Sequence, residues 1–338
     1  MGGVALSLVM RSLISLLMVS ALVGSGVLAA GSHAAASGGS FDRVVTLGDS
    51  YGSGTGIHAD ASDYDDQGPA RQSFNRSERL GHSACLRELD ETPGARLADE
   101  LGVDSVFIAC AGAVIAEIPN QVEAADIPGD GRGTLVNVII GGNDLRTVRG
   151  KNWPDVLVRC ITSSHCHQSD DNQISNLDSI HSDLLEVYTA LGEKYPEVAV
   201  RVLGYPRLMQ SDRWCEGVTG VSRAEADWID DQADRLNARI GSAVVMARVR
   251  TGADIRFVSV TDEFDNHGAC RFWQRDRYVN DLVIGETLKR SMTAGGEVHN
   301  HWNDGLTNVS SSSFHPSKKG YDAYFSALTA SLPTSRNR

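Results

Sequence analysis

Short apolar runs, separated by longer amphipathic or polar stretches, recur along the chain from about residue 41. Five of these runs have the length of buried strands, at 44–47, 105–109, 135–140, 198–204 and 255–260. Two longer stretches, 174–194 and 224–250, are predicted helices, and in the first of them apolar residues recur with a 3.6-residue period. Strands that alternate with helices predict a mostly parallel sheet covered on both faces. No internal repeat or linker interrupts 41–333, which we expect to form a single domain.

The first residues have the pattern of an export signal. Arg11 precedes an apolar run over 12–23, and small residues follow over 29–36. We predict a signal peptide over residues 1–34, cleaved between Ala30 and Ala36. An uncleaved N-terminal anchor is the alternative, because the apolar run is rather long. No other stretch of the sequence approaches the ~20 apolar residues that span a bilayer, so we expect a secreted protein without a membrane span after cleavage.

The charge of the chain bears on its partners. Its 338 residues include 31 Lys and Arg against 43 Asp and Glu, which gives a formal net charge of −12. No basic run offsets this excess, and an acidic chain of this kind repels nucleic acid and anionic surfaces. We therefore expect no nucleic-acid partner.

Six cysteines follow the predicted signal peptide, at positions 85, 110, 160, 166, 215 and 270. An even number of cysteines in an exported chain favours disulfides, although the sequence alone permits many pairings. The short loop from Cys160 to Cys166 is the pairing that the spacing favours first. A metal site made of Cys160, His165, Cys166 and His167 is the alternative, but this spacing matches no zinc module.

The segment GDSYGSG, residues 48–54, carries the strongest chemical signal and directly follows the first predicted strand. A serine in a tight turn exposes its hydroxyl, and the glycines let the backbone bend and a substrate approach. The segment also matches the G-x-S-x-G elbow of the α/β-hydrolases, but in that fold several strands precede the nucleophile, whereas one precedes Ser50 here. A glycine-rich turn without a chemical role is the alternative to Ser50 as a nucleophile.

Three further blocks follow in order. CAGA at 110–113 comes after the second predicted strand, GGND at 141–144 after the third, and SFHPS at 313–317 before a C-terminal amphipathic stretch. The Gly112 N–H and the Asn143 amide are candidate oxyanion donors, with an ordinary turn and a helix N-cap as their structural alternatives. We expect Pro316 at the first position of the last helix, which would hold His315 at the rim of the sheet. The predicted buried stripe of that helix is Tyr321, Tyr324, Phe325 and Leu328.

These four blocks, in this order, resemble the GDSL/SGNH hydrolases, whose four motifs carry a Ser, a Gly, an Asn and a His. The matching residues here are Ser50, Gly112, Asn143 and His315. The resemblance implies a three-layer α/β/α fold of the flavodoxin-like kind with a mostly parallel central sheet. It implies Ser50 as nucleophile, His315 as general base, and an oxyanion hole built from the Ser50 N–H, the Gly112 N–H and the Asn143 side chain. No metal or organic cofactor is implied.

The export signal and the six cysteines resemble the secreted actinobacterial esterase and lipase branch of this family. That branch implies three consecutive disulfides, Cys85–Cys110, Cys160–Cys166 and Cys215–Cys270. The implied function is a secreted carboxylic ester hydrolase, an esterase or lipase, that acts on small-molecule or lipid acyl esters through a covalent acyl-Ser50 intermediate. We expect it to be a monomer.

The chain departs from the family at position 312, where a serine stands in place of the Asp that usually lies three residues before the His. A histidine base still needs a group that fixes its tautomer. We predict that the Ser312 backbone carbonyl orients His315, with Asp304 as the rival. The functional alternatives are a carbohydrate O-deacetylase on the same scaffold, an inactive secreted binding protein, and a metallohydrolase using His165, His167, His299 or His301.

Overall fold

The computed structural model describes residues 41–57, 91–163, 165–210, 215–271, 276–281 and 312–333. The chain divides into two units, Met1–Ala35 and Ala36–Arg338, and all the described residues belong to the second. The predicted signal peptide therefore lies outside the described residues, as do Cys85, His299, His301 and Asp304. Within the described ranges, no helix is long and apolar enough to cross a membrane.

A parallel sheet of five strands runs through the described part of the chain, in the order β2-β1-β3-β4-β5. Each strand falls on one of the five predicted apolar runs. β3 and β4 are buried along their whole length, as expected for strands covered by helices on both faces. The strands are β1 (Arg43–Gly48), β2 (Asp104–Phe107), β3 (Thr134–Ile139), β4 (Ala199–Leu203) and β5 (Asp254–Val258).

Helices cover both faces of the sheet. β2 lies on one side of β1, whereas β3 and β4 lie on the other, so the connections from β1 to β2 and from β3 to β4 run in opposite directions across the sheet. Because both connections are right-handed, α1 and α4 lie on opposite faces of the sheet. α7 packs on α1, and α6 packs on α4. The predicted three-layer α/β/α fold is confirmed. The α-helices of the described residues are α1 (Pro93–Leu101), α2 (Ile118–Ala124), α3 (Trp153–Thr162), α4 (Leu177–Lys194), α5 (Cys215–Thr219), α6 (Arg223–Thr251) and α7 (Lys318–Ala330).

The last helix begins two residues later than the sequence suggests. Ser317 is the N-cap of α7, and its hydroxyl accepts a hydrogen bond from the Gly320 N–H. Pro316 therefore precedes the cap and pairs with Val279 in an isolated bridge, so its expected place at the first helical position is corrected. The serine takes the cap position because its oxygen satisfies a backbone N–H that has no partner within the helix.

Two of the predicted disulfides form in the structure. Cys160–Cys166 has a Cα–Cα distance of 5.0 Å, and Cys215–Cys270 one of 4.3 Å. Cys110 is also disulfide-bonded, and its predicted partner lies outside the described residues. The first disulfide uses both thiols of the alternative metal site. Among the described residues, no three His, Cys, Asp or Glu side chains are grouped so that they could hold a metal ion.

Candidate active site

Ser50 and His315 lie 265 positions apart in the sequence and meet in the structure. The Nε2 atom of His315 is 2.7 Å from the Ser50 Oγ, within hydrogen-bond reach of a general base and its nucleophile. The other ring nitrogen, Nδ1, lies 3.0 Å from the Ser313 carbonyl oxygen. Because a carbonyl can only accept, it fixes the proton on Nδ1 and leaves the Nε2 lone pair directed at the hydroxyl.

The structure corrects the group that orients the imidazole. The predicted acceptor, the Ser312 carbonyl, instead accepts from the backbone N–H of His315 at 3.2 Å and from the Asn280 side chain at 3.3 Å. This tight turn directs the Ser312 oxygen at the main chain and leaves the next carbonyl, that of Ser313, to face the ring. Of the described residues, no carboxylate hydrogen-bonds to His315.

The turn that carries His315 is held by side chains from elsewhere in the fold. Phe314 is buried and has a φ of 58°, in the left-handed region that a bulky residue rarely adopts. Its carbonyl accepts the Tyr51 hydroxyl at 2.7 Å, and its N–H donates to the Asn280 carbonyl at 3.1 Å. The Asn280 amide also donates to the Gly56 carbonyl at 2.9 Å. These bonds hold the strained turn against the loop that carries Ser50.

The end of β1 determines where Ser50 points. Gly48 has a φ of 126°, and a Cβ added there would lie 2.0 Å from the Ile139 carbonyl oxygen. Only glycine fits this approach to β3, after which the chain turns and the Asp49 N–H donates to the same carbonyl at 2.9 Å. Residues 49–57 then form turns. The order of the strands makes the gap between β1 and β3 the topological switch point, where ligands bind in sheets of this kind.

The candidate oxyanion donors follow the ends of three adjacent strands, β1, β2 and β3. Gly112 is exposed with a φ of 83°, and neither its N–H nor that of Ser50 donates a hydrogen bond within the described residues. The Asn143 Nδ2 atom donates to the Ala113 carbonyl at 3.0 Å, which orients the amide. Because an amide nitrogen carries two hydrogens, one donor of Asn143 remains for a ligand.

Asp144 holds the second and third blocks together. Both of its carboxylate oxygens accept the Ile115 N–H, at 3.2 and 3.1 Å. Burial raises the pKa of Asp144 to about 7, opposed by the Ile115 hydrogen bond and by the charge of Arg146. Arg146 in turn donates to the Asn143 carbonyl at 2.6 Å. Hydrogen bonds thus link residues 143–146 to one another and to the loop that contains Gly112.

Burial sets the protonation of the candidate base. It lowers the pKa of His315 to about 4, and the hydrogen bond to the Ser313 carbonyl offsets this only in part. The imidazole is therefore neutral at pH 7 and able to accept a proton from Ser50. The Tyr51 ring packs beside it, with 5.0 Å between ring centroids.

Asp49 is a second buried titratable group beside Ser50. It accepts hydrogen bonds from the Tyr205 hydroxyl at 2.5 Å and from the Tyr51 N–H at 2.9 Å. Burial raises the pKa of Asp49 to about 7, although these hydrogen bonds lower it. Neither Asp49 nor Tyr205 is among the residues predicted from the sequence to act in the site. A signal for Tyr205 was available, since it follows the end of the fourth apolar run and so lies on the same edge of the sheet as Ser50 and Asn143.

Two curated relatives of this chain come from the genus Streptomyces. No family model matches the chain. "Lipase 1" of Streptomyces coelicolor is 27% identical over 266 residues, which cover 78% of this chain and 85% of that protein. "Lipase" of Streptomyces rimosus is 28% identical over 230 residues, with 67% and 72% covered.

Two solved structures have a similar fold. Phospholipase A1 from Streptomyces albidoflavus NA297 aligns with a TM-score of 0.58 and 24% identity, over 86% of this chain and 99% of that one. The extracellular lipase from Streptomyces rimosus aligns with a TM-score of 0.56 and 22% identity, over 85% and 98%. Together with the two relatives, these likenesses confirm the resemblance to the GDSL/SGNH hydrolases and the fold that it implied.

Proposed function

We propose that this GDSL/SGNH hydrolase cleaves carboxylic esters by acyl transfer to Ser50, with His315 as general base. The observation that carries the proposal is the 2.7 Å contact between the His315 Nε2 and the Ser50 Oγ, combined with the 3.0 Å contact between Nδ1 and the Ser313 carbonyl. A nucleophile, a base and a group that orients the base are the three parts that activate a serine.

The reaction class is confirmed by the comparisons: the chain is a carboxylic ester hydrolase, as the four sequence blocks implied. The roles of individual residues are part of the proposal. Ser50, Gly112 and Asn143 follow adjacent strands at the switch point of the sheet, and two backbone N–H groups and one amide hydrogen among them have no other acceptor within the described residues.

In the proposed first step, the Ser50 Oγ attacks the ester carbonyl while His315 Nε2 takes the hydroxyl proton. The oxyanion accepts hydrogen bonds from the Ser50 N–H, the Gly112 N–H and the Asn143 amide, each of which can contribute about 3 kcal/mol to the transition state. His315 then protonates the leaving alcohol. In the second step His315 takes a proton from water, which attacks the acyl-serine; the bond between the acyl carbon and the Ser50 Oγ breaks, His315 returns the proton to Oγ, and the acid is released.

The imidazolium formed in each step lacks a carboxylate partner among the described residues, and the Ser313 carbonyl takes that place. A carbonyl dipole stabilises the cation less than a charge would, which agrees with the lowered pKa of His315. The proposed machinery is therefore a dyad with a backbone acceptor, in which the oxyanion donors supply the larger share of the stabilisation.

Lipid or short-chain acyl esters are the proposed substrates, since both curated relatives are named lipases. We also propose that the protein is secreted after removal of residues 1–34. This is supported by the apolar run at 12–23, by the bonded state of five cysteines and by the extracellular lipase among the similar structures. The expected monomeric state stays a prediction.

The test is an assay of the secreted protein against p-nitrophenyl esters of graded acyl length, with Ser50→Ala and His315→Ala alongside. We expect the wild type to hydrolyse esters and both variants to lose at least 10⁴-fold in kcat, as when members of a serine-histidine unit are removed. A fluorophosphonate should label the wild type on a peptide that contains Ser50. Ser182→Ala removes an exposed hydroxyl on α4 and should behave as the wild type.

Label on another serine, or retained turnover in Ser50→Ala, would overturn the proposed mechanism. A wild type that releases acetate from acetylated polysaccharide but hydrolyses no p-nitrophenyl ester would move the substrate class to carbohydrate esters and leave the roles of Ser50 and His315 intact.

A further inference from the structure

One phenol joins the loop of Ser50 to the loop of Asn143. The Tyr205 hydroxyl donates to the Asp49 carboxylate at 2.5 Å and accepts the Gly142 N–H at 2.9 Å. Asp49 directly precedes Ser50, and Gly142 directly precedes Asn143. The hydroxyl therefore lies between the residues adjacent to the nucleophile and to the side-chain oxyanion donor, and bonds to both.

The position of this phenol is fixed from its own side. Tyr205 follows β4 and its side chain is buried. The Asn237 amide, on α6, accepts from the Tyr205 N–H at 2.8 Å and donates to its carbonyl at 2.7 Å. Tyr324 donates to the preceding Gly204 carbonyl at 2.8 Å, and the Tyr51 ring meets the Tyr205 ring edge to face at 5.0 Å. Side chains of α6 and α7, on opposite faces of the sheet, therefore hold the backbone at residues 204 and 205. This fixes the position of the Tyr205 side chain, to which the loops of Ser50 and Asn143 bond.

The ring also packs directly against the third block. A Cβ added to Gly142 would lie 3.1 Å from the Tyr205 Cε1, 3.2 Å from Cζ and 3.3 Å from the hydroxyl oxygen. The backbone at Gly142 thus approaches the phenol as closely as it can without a side chain. Contact with the ring and the hydrogen bond to the hydroxyl together determine how far the Asn143 backbone stands from that of Ser50.

We propose that Tyr205 is a positioning residue that sets the separation between the Ser50 N–H and the Asn143 amide in the oxyanion hole. The proposal rests on the proposed function, since it assigns Tyr205 a purpose in the same reaction. Tyr205 does not touch the reacting atoms. It acts by joining two loops that follow different strands, and the oxyanion donors depend on that junction for their spacing.

Loss of the junction should act on the transition state and spare substrate binding. A misplacement of about 1 Å at a catalytic group costs on the order of 10²-fold in rate. For Tyr205→Phe, which keeps the ring, we expect kcat to fall about 10- to 100-fold while KM stays within about twofold. A boronic acid, which forms a tetrahedral adduct with the serine, should bind more weakly by the same factor as kcat/KM falls. The product acid, a ground-state ligand, should bind unchanged.

Tyr188→Phe is the matched control. Tyr188 is a fully buried tyrosine of α4 whose hydroxyl has no hydrogen-bond partner among the described residues, so its removal should leave kcat and boronic-acid affinity at wild-type values. Ser50→Ala, measured in parallel, separates the two proposals. If Ser50→Ala remains active, the proposed function fails. If Ser50→Ala is inactive and Tyr205→Phe equals the wild type in kcat, only the positioning proposal fails.

A second variant covers the case in which Tyr205→Phe does not fold. Gly142→Ala retains the phenol and adds a methyl group against its ring, so it shifts the third block away from Tyr205. We expect the same pattern, a lower kcat and weaker boronic-acid binding at a nearly unchanged KM. A loss confined to KM, or equal losses of boronic-acid and product-acid affinity, would overturn the proposal in either variant.

Discussion

The buried imidazole of His315 leads to an unusual pH dependence. A serine hydrolase is active only while its histidine is neutral, and an ordinary histidine with a pKa near ~6.5 loses activity below neutral pH. Burial lowers the pKa of His315 to about 4. The acid limb of kcat/KM is therefore expected near pH 4 and not near the ~6.5 of an ordinary histidine.

The size of the effect is large enough to measure at one pH. With a pKa of about 4, about 90% of His315 is neutral at pH 5, whereas an unshifted histidine would be about 3% neutral. The predicted activity at pH 5, relative to the plateau, is thus on the order of 30-fold higher than for an ordinary histidine base.

The assay is kcat/KM from pH 3.5 to 8 with one short-chain ester, with the released acid quantified by chromatography so that the readout does not itself titrate. Folding must be followed in parallel by circular dichroism. The folded-state pKa of His315 is depressed, so its contribution to stability is present above about 6.5 and falls as pH drops toward about 4. Samples held at pH 5 and returned to pH 7.5 should recover full activity.

An acid limb near 6.5 would contradict this reasoning unless it belongs to another group. Asp49 and Asp144 are the rivals, because the pKa of each is raised to about 7 and they adjoin Ser50 and Asn143. Asp49→Asn and Asp144→Asn each remove one of these titrations and leave His315 in place. A limb near 6.5 that persists in both variants would refute the assignment of a lowered pKa to His315.

Two further substitutions test the donor and the backbone. Asn143→Ala removes the amide donor, so we expect kcat to fall about 10²- to 10³-fold. Single-turnover kinetics measure the rate of the chemical step, and a loss confined to KM would contradict the assigned role. Gly48→Ala places a methyl group 2.0 Å from the Ile139 carbonyl oxygen. It should destabilise the fold by clearly more than Gly102→Ala, where an added Cβ meets no described residue within 4 Å and only the left-handed backbone costs about 1–2 kcal/mol. Urea denaturation compares the two variants, and equal midpoints would contradict the steric argument.

The pattern of apolar residues along the chain was sufficient to predict the layers of the fold. The five apolar runs became the five strands of the described sheet, because a strand buried on both faces needs apolar residues on both sides. The period of apolar residues over 174–194 predicted α4, and α6 formed where a second long helix was predicted over 224–250, beginning at a capping box of Ser222 and Glu225. The four blocks that resemble the GDSL/SGNH hydrolases also follow from the sequence, since glycines and polar residues after a strand mark the edge where ligands bind.

The sequence alone did not determine which backbone carbonyl faces His315. That choice depends on a turn in which Phe314 takes a left-handed φ of 58°, stabilised by Tyr51 and Asn280 from distant parts of the chain. No local signal announces a positive φ at a phenylalanine, since its own preference is against it. The acceptor moved from Ser312 to Ser313 for that reason.

Tertiary structure also decided the protonation and the connections of the site. Asp49 and Asp144 are ordinary carboxyl residues in the sequence, and only burial raises the pKa of each to about 7. Tyr205 is one of eight tyrosines, and its importance comes from hydrogen bonds to residues 156 and 63 positions away. The sequence by itself determined which reactive side chains are present and which strand ends they follow. The packing of the strands determined which of these groups meet, because long-range contacts and desolvation exist only in the folded chain.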